Sequence, residues 1–327
     1  MKTSSIRTLT AVGTAVATLT AGSPALAADP YPCKTLTLVS PYPPGGTTDI
    51  LARMVSPGLA AELGTTVIVD NRGGASSNIG TEFVSRAPSD GCTALLGNNT
   101  GVVINRNLYP LKMDPVKTLA PVGEVASVPL LLYINAAVPA GNAAQLVELV
   151  RKSPGKFSYA SGGSGSPQHL AGELLKLEKK IDLLHVPYRG QGPALTDVIA
   201  GQVQVAFETT TALAPHLKSG RIKILATTGA KRTPALPDVP TMKEAGFDSF
   251  VIENWYGLFV PAKTPAPLVA RLNQALNATL KSPEVRTKLS DMGSSDVSGT
   301  PEQLARFIDK EIPYWQSIVK RSGATVD

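Results

Sequence analysis

"SPYPPGGTTDI", Ser40–Ile50, joins two runs of different period. Thr35–Val39 before it has the length and composition of a buried strand. After it, Ile50, Leu51, Met54, Val55, Leu59 and Leu63 recur at helical spacing, which predicts a helix over about Thr48–Leu63 that Gly64 ends as a C′ glycine. Pro57 is expected to kink that helix, because proline lacks an N–H and crowds the turn before it. A strand, a glycine loop and a helix make an anion cradle. The first-turn amides lack partners within the helix, and the helix dipole is positive there. No Lys follows these glycines and the loop has no G-x-G-x-x-G, so it is not the usual nucleotide phosphate loop.

The same order recurs along the chain. Strands are expected at Thr66–Val69, Cys92–Leu96, Val128–Asn135, Phe157–Ala160, Leu183–Pro187, Val203–Phe207 and Ile222–Thr227. Helices are expected between them: one bearing Ile79, Phe83 and Val84, then Ala143–Lys152, Gln168–Lys179, one ending near Ile199, and Ala212–Ser219. This alternation defines an α/β chain with mostly parallel sheets flanked by helices. Near the C-terminus, Thr264 and Pro265 read as N-cap and N1 of a helix carrying Leu268, Val269, Leu272, Leu276 and Leu280. "TPEQ", Thr300–Gln303, reads as a capping box for a last helix that buries Trp315. These helices are expected to pack back on the first domain. The predicted division is residues 28–127 with 252–327, and residues 128–251, with two crossings near 127–131 and 250–256.

Residues 1–27 read as a secretory signal peptide: Lys2 and Arg7, a short apolar run, then Ala25-Leu26-Ala27. No lipobox precedes Cys33, so a soluble periplasmic protein is expected. The net charge is +6, and Lys2 and Arg7 carry two of those charges. The remaining charges are scattered, which argues against nucleic acid. Cys33 and Cys92 are the chain's two cysteines. Each lies at the start of a predicted strand. If those strands are parallel neighbours, the two share one end of the sheet, and export favours a disulfide over two free thiols. His169, His185 and His216 show no metal spacing, so neither metal nor cofactor is expected.

A second cradle, "SYASGGSGSPQHL", echoes the first with Ser in place of Thr. Further loops at Gly73–Asn78, Gly97–Gly101 and Gly190–Gly192 fall at the same strand ends, where open α/β sheets bind ligands. They contribute Ser76, Asn78 and Asn98 to the candidate site. Asp49 either pairs with a ligand amine or caps the first helix. His169 either touches a ligand or caps its loop, and His185 is a core histidine. Arg189 either takes a carboxylate or makes a surface salt bridge. Glu208, beside Thr209, repels anions unless paired. Trp255 and Tyr256 either wall the cleft or fill the hinge core.

These stretches together resemble the Bug family of periplasmic solute receptors, which serve tripartite tricarboxylate transporters. The resemblance rests on "PYPPGGTTDILAR", "VIVDNRGGASSNIGTEFVSRAPSDGCTALLG", "YASGGSGSPQHLAGELL", "HVPYRGQGPALTDVIAGQVQVAFE" and "GRIKILATTGAKRTPALPDVPTMKEAGF". It implies a two-domain clamshell and a ligand carboxylate held by backbone amides, hydroxyls and water. Carried over by motif, the site comprises Tyr42, Pro44, Gly45, Gly46, Thr47, Thr48 and Asp49, facing Ser161, Gly162, Ser164, Ser166 and His169. The family usually has an aromatic at position 92 and often Asp at position 208. The expected function is capture of a small organic carboxylate by a monomer that delivers it to membrane permease subunits. An aromatic dicarboxylate flanked by Tyr42 and Trp255 is the favoured ligand. The alternatives are an exported hydrolase using Ser164 or Ser166 with His169, and a sensor without a transporter.

Overall fold

The structure is a computed structural model that describes Met1 and residues 31–248, 250–294 and 298–326. The expected signal peptide, apart from Met1, lies outside the described residues. In chain order the elements are β1 (Thr35–Ser40), α1 (Thr47–Leu63), β2 (Thr66–Asn71), α2 (Asn78–Ser85) and β3 (Thr93–Asn98). A π turn, Thr100–Ile104, and a 3-10 turn, Asn105–Asn107, lead to α3 (Pro115–Thr118) and β4 (Leu119–Asn135). Then come α4 (Ala143–Arg151), β5 (Ser158–Ser161), α5 (Pro167–Lys179), β6 (Leu184–Pro187), α6 (Gln191–Ala200), β7 (Val205–Thr209), α7 (Thr210–Leu213) and β8 (Ile222–Thr227). The chain ends with β9 (Glu253–Pro261), α8 (Ala266–Lys281), α9 (Pro283–Asp291) and α10 (Pro301–Ser322).

The strands run in the order β2-β1-β3-β9-β4-β7-β5-β6, and β8 also pairs with β4. Two parallel groups, β2-β1-β3 and β7-β5-β6, flank an antiparallel centre. β4 belongs to both halves. Leu119–Pro129 pairs with β9, and Leu130–Asn135 pairs with β7 and β8. The change of partner falls at Pro129. Proline has no N–H to offer a ladder, so it fits where one ladder ends. The Leu130 N–H is taken there by the Thr228 hydroxyl. β4 therefore starts nine residues before the expected Val128, because "LAPVGEVAS" lacks a continuous apolar run.

α1 begins one residue early, ends at Gly64 with φ 65°, and runs through Pro57 without a break. Pro57 and Arg53, whose carbonyl loses its partner, are both solvent-exposed, on the face of the helix where an unpaired carbonyl costs least. Leu51, Val55, Leu59 and Leu63 are buried, but Ile50 is exposed. Likewise α2 buries Val84 and exposes Ile79 and Phe83. Gly58 on α1 lets α8 approach closely: a Cβ there would stand 2.5 Å from the Thr279 side chain.

In the C-terminal part, Pro265 rather than Thr264 is the N-cap of α8, and the Thr264 hydroxyl is buried without a partner. α9 was not foreseen. Ser282 caps it. The capping box of α10 forms as expected between Thr300 and Gln303. α10 does not return only to the first domain. Leu304, Ile308, Trp315 and Ile318 share a core with Val102 and Val103 and with Leu170 and Leu174 of α5. Glu311 on α10 accepts N–H bonds from two indoles on one oxygen, Trp255 of β9 at 2.8 Å and Trp315 at 2.7 Å.

Cys33 and Cys92 form the expected disulfide, with Cα atoms 5.5 Å apart, just ahead of the neighbouring parallel strands β1 and β3. Replacing both by serine should lower the unfolding free energy by about 2–4 kcal/mol, since the bridge restricts the unfolded chain. The measurement is the urea midpoint of the exported, oxidised protein. An unchanged midpoint would show that the bridge adds nothing.

Candidate functional site

The loops after β1, β2, β3 and β5, with the ends of β6 and β7, meet along one seam. The Thr47 and Thr209 hydroxyl oxygens are 3.4 Å apart. The Ser76 hydroxyl donates to the Ser164 carbonyl at 3.2 Å. Tyr109 donates to the Ser76 hydroxyl, and Asn105 bridges the Ser76 carbonyl and the Asn78 side chain. Ala75, Ser76 and Ser77 all have positive φ, between 45° and 78°. Such a run of non-glycine residues is strained and persists only where its surroundings hold it.

In the first cradle Gly45 takes φ 88°, while Pro44, Gly45 and Gly46 are exposed. Thr47 is half-buried and Thr48 is buried. The Tyr42 hydroxyl pairs with the Asn98 side chain at 3.1 Å, and burial pushes the Tyr42 phenol above its ordinary range. Asp49 is committed within the protein. Its carboxylate accepts the Gly45 N–H, the Asn71 amide and the Arg53 guanidinium, each near 3.0 Å. Burial pushes its pKa up, but the bonds from Arg53, Gly45 and Asn71 outweigh burial and hold it low. Asp49 thus serves the loop: it holds the Gly45 N–H ahead of α1, whose N-cap, Gly46, makes no side-chain capping bond.

In the second cradle Ser166 caps α5 by accepting the His169 N–H, and His169 Nδ1 accepts the Gly165 N–H at 3.0 Å. His169 is therefore a loop cap. His185 stacks on His169 with ring centroids 4.1 Å apart and meets the Ser161 hydroxyl at 2.7 Å. Ser161 also accepts the Gly163 N–H. Arg189 is exposed and makes no ion pair among the described residues. Trp255 is a correction to the expected site. Its side chain is 1% exposed and packs on Phe259 and Phe307, so it lies in the core rather than the cleft. Tyr256, the next residue along the strand, points the other way. Its hydroxyl accepts from Asn254 at 2.7 Å, and burial together with Glu208 and Tyr42 raises its pKa.

Glu208 is 2% exposed. Its carboxylate accepts the Thr209 N–H at 2.7 Å and lies 3.2 Å from the Thr209 hydroxyl. Gln191 donates to its other oxygen at 2.9 Å. Burial raises its pKa to about 7, although the bonds from Thr209 and Gln168 pull it down. Gln168 and Gln191 were not foreseen. Their signal was a glutamine at the start of a helix that follows a glycine loop.

Parallel strands delivering glycine loops and helix N-termini to one seam define a solute-binding protein of the α/β periplasmic type. The model of the tripartite tricarboxylate transporter family receptor, TctC, matches residues 51–324. The Rhodopseudomonas palustris protein Rpa4515, solved with adipate, is 34% identical, with a TM-score of 0.86 over 91% of this chain and all of that one. The periplasmic binding protein BugD is 34% identical, with a TM-score of 0.84 over the same shares. MatC from R. palustris, solved with malate, is 32% identical, with a TM-score of 0.82 over 88% of this chain and all of that one. The chain belongs to the TctC, or Bug, family of transporter receptors, which are non-enzymatic solute-binding proteins. The hydrolase alternative is thereby set aside, and Ser166 and His169 are spent on capping.

Two predictions concern the carboxylates. Asp49→Ala should cost about 1–3 kcal/mol at neutral pH, mostly through the Gly45 and Asn71 bonds, since Arg53 is exposed and screened. Because the folded pKa is depressed, that stability is present above the unfolded value and lost as pH falls through the folded one. Wild type and variant should converge in acid in urea titrations. Glu208 has the opposite sign. With a folded pKa near 7, its ionisation opposes folding increasingly from about pH 4.5 upward, reaching about 3 kcal/mol above pH 7. Glu208→Gln should raise the melting temperature near pH 8 and leave it little changed near pH 5. An equal shift at both would contradict this.

Proposed function

We propose that the chain captures a small organic carboxylate between two lobes and hands it to the membrane permease of a tripartite tricarboxylate transporter. In this reading residues 28–127 with 252–327 form one lobe and residues 128–251 the other, and the lobes move about β4 and β9. The chain acts as a monomer in the periplasm after its signal peptide is removed. The observation that carries the reading is the seam itself. The first glycine cradle meets the end of β7 at Thr47 and Thr209, the second meets the loop after β2 at Ser164 and Ser76, and among the described residues the carboxylate that joins them from the second half is Glu208. Thr47, Thr48, Ser161, Gly162 and Ser164 hold the ligand carboxylate by neutral donors, with Tyr42, Ser76, Asn78 and Asn98 behind them. Charge-free contacts of this kind hold an anion reversibly, as delivery requires.

The contacts between Thr47 and Thr209 and between Ser76 and Ser164 belong to the closed form. A ligand that adds contacts to both lobes shifts the equilibrium toward closure. An aromatic dicarboxylate loses one of its two expected walls because Trp255 is in the core. An aliphatic mono- or dicarboxylate of the size of malate or adipate, the acids held by two relatives, is the favoured ligand.

The test is a thermal-shift screen with malate, adipate, citrate and an aromatic dicarboxylate, since a ligand bound only by the native state raises its stability. A saturable shift with an aliphatic acid is expected. It should disappear in Thr47→Leu and Ser164→Leu, with circular dichroism unchanged. Small-angle scattering should show compaction with the same acid. No shift with any carboxylate would overturn the reading.

A further inference from the structure

Among the neutral donors of the seam stands one buried acid. Glu208, near the end of β7, is 2% exposed. Its Oε1 accepts the Thr209 N–H at 2.7 Å and lies 3.2 Å from the Thr209 hydroxyl, which meets the Thr47 hydroxyl of the first cradle at 3.4 Å. One hydroxyl thus separates the carboxylate from the loop that opens α1. The groups that face it from other elements are the phenols of Tyr133 on β4 and Tyr256 on β9 and the amides of Gln168 on α5 and Gln191 on α6. All are uncharged. None of the ion pairs among the described residues includes Glu208. Arg53, beside the first cradle, is paired with Asp49. His169 accepts the Gly165 N–H, and His185 is turned to the Ser161 hydroxyl.

A carboxylate shut away from water among neutral donors is costly, because its charge is neither hydrated nor balanced. It also repels an incoming anion across a dry seam. The same charge becomes favourable when the ligand brings a cation of its own. Two oxygens on neighbouring residues are also unused. Asn254 donates to the Tyr256 hydroxyl at 2.7 Å, and its Oδ1 is buried without a partner among the described residues. Thr210, next to Thr209, is 2% exposed, and its hydroxyl is likewise unpartnered. An ammonium has three N–H donors and no acceptor, so a carboxylate with spare oxygens close by matches it.

We propose that the ligand carries a cationic nitrogen as well as its carboxylate, with the nitrogen paired to Glu208 and the carboxylate held by the amides and hydroxyls of the two cradles. The substrate class is an amino carboxylate. Glu208 is then a specificity-determining residue, which selects such a ligand over an acid of the same length without the nitrogen. The inference rests on the carboxylate reading above and adds the ligand's second charge.

The test is calorimetry at neutral pH with two matched pairs of probes. Aspartate is malate with an ammonium in place of the hydroxyl, and ε-aminocaproate is adipate with an ammonium in place of one carboxylate. Wild type should bind at least one amino acid about tenfold or more tighter than its partner, and Glu208→Gln should lose that preference. The amide keeps the volume of the side chain, so the difference reads its charge. If the variant does not fold, the wild-type preference decides alone. Malate and adipate bound as tightly as their amino partners would overturn the proposal and leave the carboxylate reading standing. A preference that survives in Glu208→Gln would overturn it as well. Binding of butylamine but of none of the four acids, lost in Glu208→Gln, would count against the carboxylate reading and support the cation site. No binding of any of these probes would overturn both.

Discussion

The antiparallel pairing of β4 with β9 is the constraint on which the rest depends. β4 carries one backbone from the first half of the sheet into the second, and β9 runs beside it up to Pro129. Because the parallel strands on either side are ordered against this pair, their C-terminal loops open toward one another. Bulges between Pro121 and Gly123 and between Glu124 and Ala126 interrupt the ladder, and another follows at Leu132. Bulges add twist and loosen pairing locally, which suits a segment about which two halves would turn in the proposed closure.

The electrostatics of the seam suit the proposed task. A ligand that must be given up intact is better held by amides at helix N-termini than by a guanidinium. Asp49 lies close to the first cradle but is neutralised by Arg53 and consumed by Gly45 and Asn71. Glu208 has no such cationic partner among the described residues. A second set of acids lies on the crossing strands and on α10. Burial, then Glu253 and Glu311, push the Glu124 carboxyl up to about 8. Glu253 is held by the Ser127 hydroxyl at 2.6 Å and Glu311 by two indoles. Hydrogen bonds from neutral groups make such burial tolerable.

Most of the fold was legible because short apolar runs and helical faces alternate so regularly. β8 and the capping box of α10 were read to the residue. The misses have physical causes. β4 was read short because Glu124, Gly123 and Pro121 interrupt its apolar pattern although tertiary pairing holds it extended. α9 is too polar to show a face. Among site residues, loop glycines and caps were legible from local chemistry. Trp255 was not, since only the alternation along β9, fixed by its register with β4, decides that Trp255 turns inward and Tyr256 toward the seam. Gln168 and Gln191 matter through a partner 40 and 17 residues away in the chain, which no local pattern encodes.

One feature of α10 reaches beyond packing. The chain's two tryptophans, Trp255 and Trp315, end on the same oxygen of Glu311. One sits on the strand that links the halves and the other on the helix that spans them. Indole emission responds to the charge and hydrogen bond at its nitrogen. Any sliding of α10 against β9, or any proton gained by Glu311, would alter both fluorophores at once. The molecule thus carries an unlabelled optical gauge beside the strands about which the proposed closure would turn.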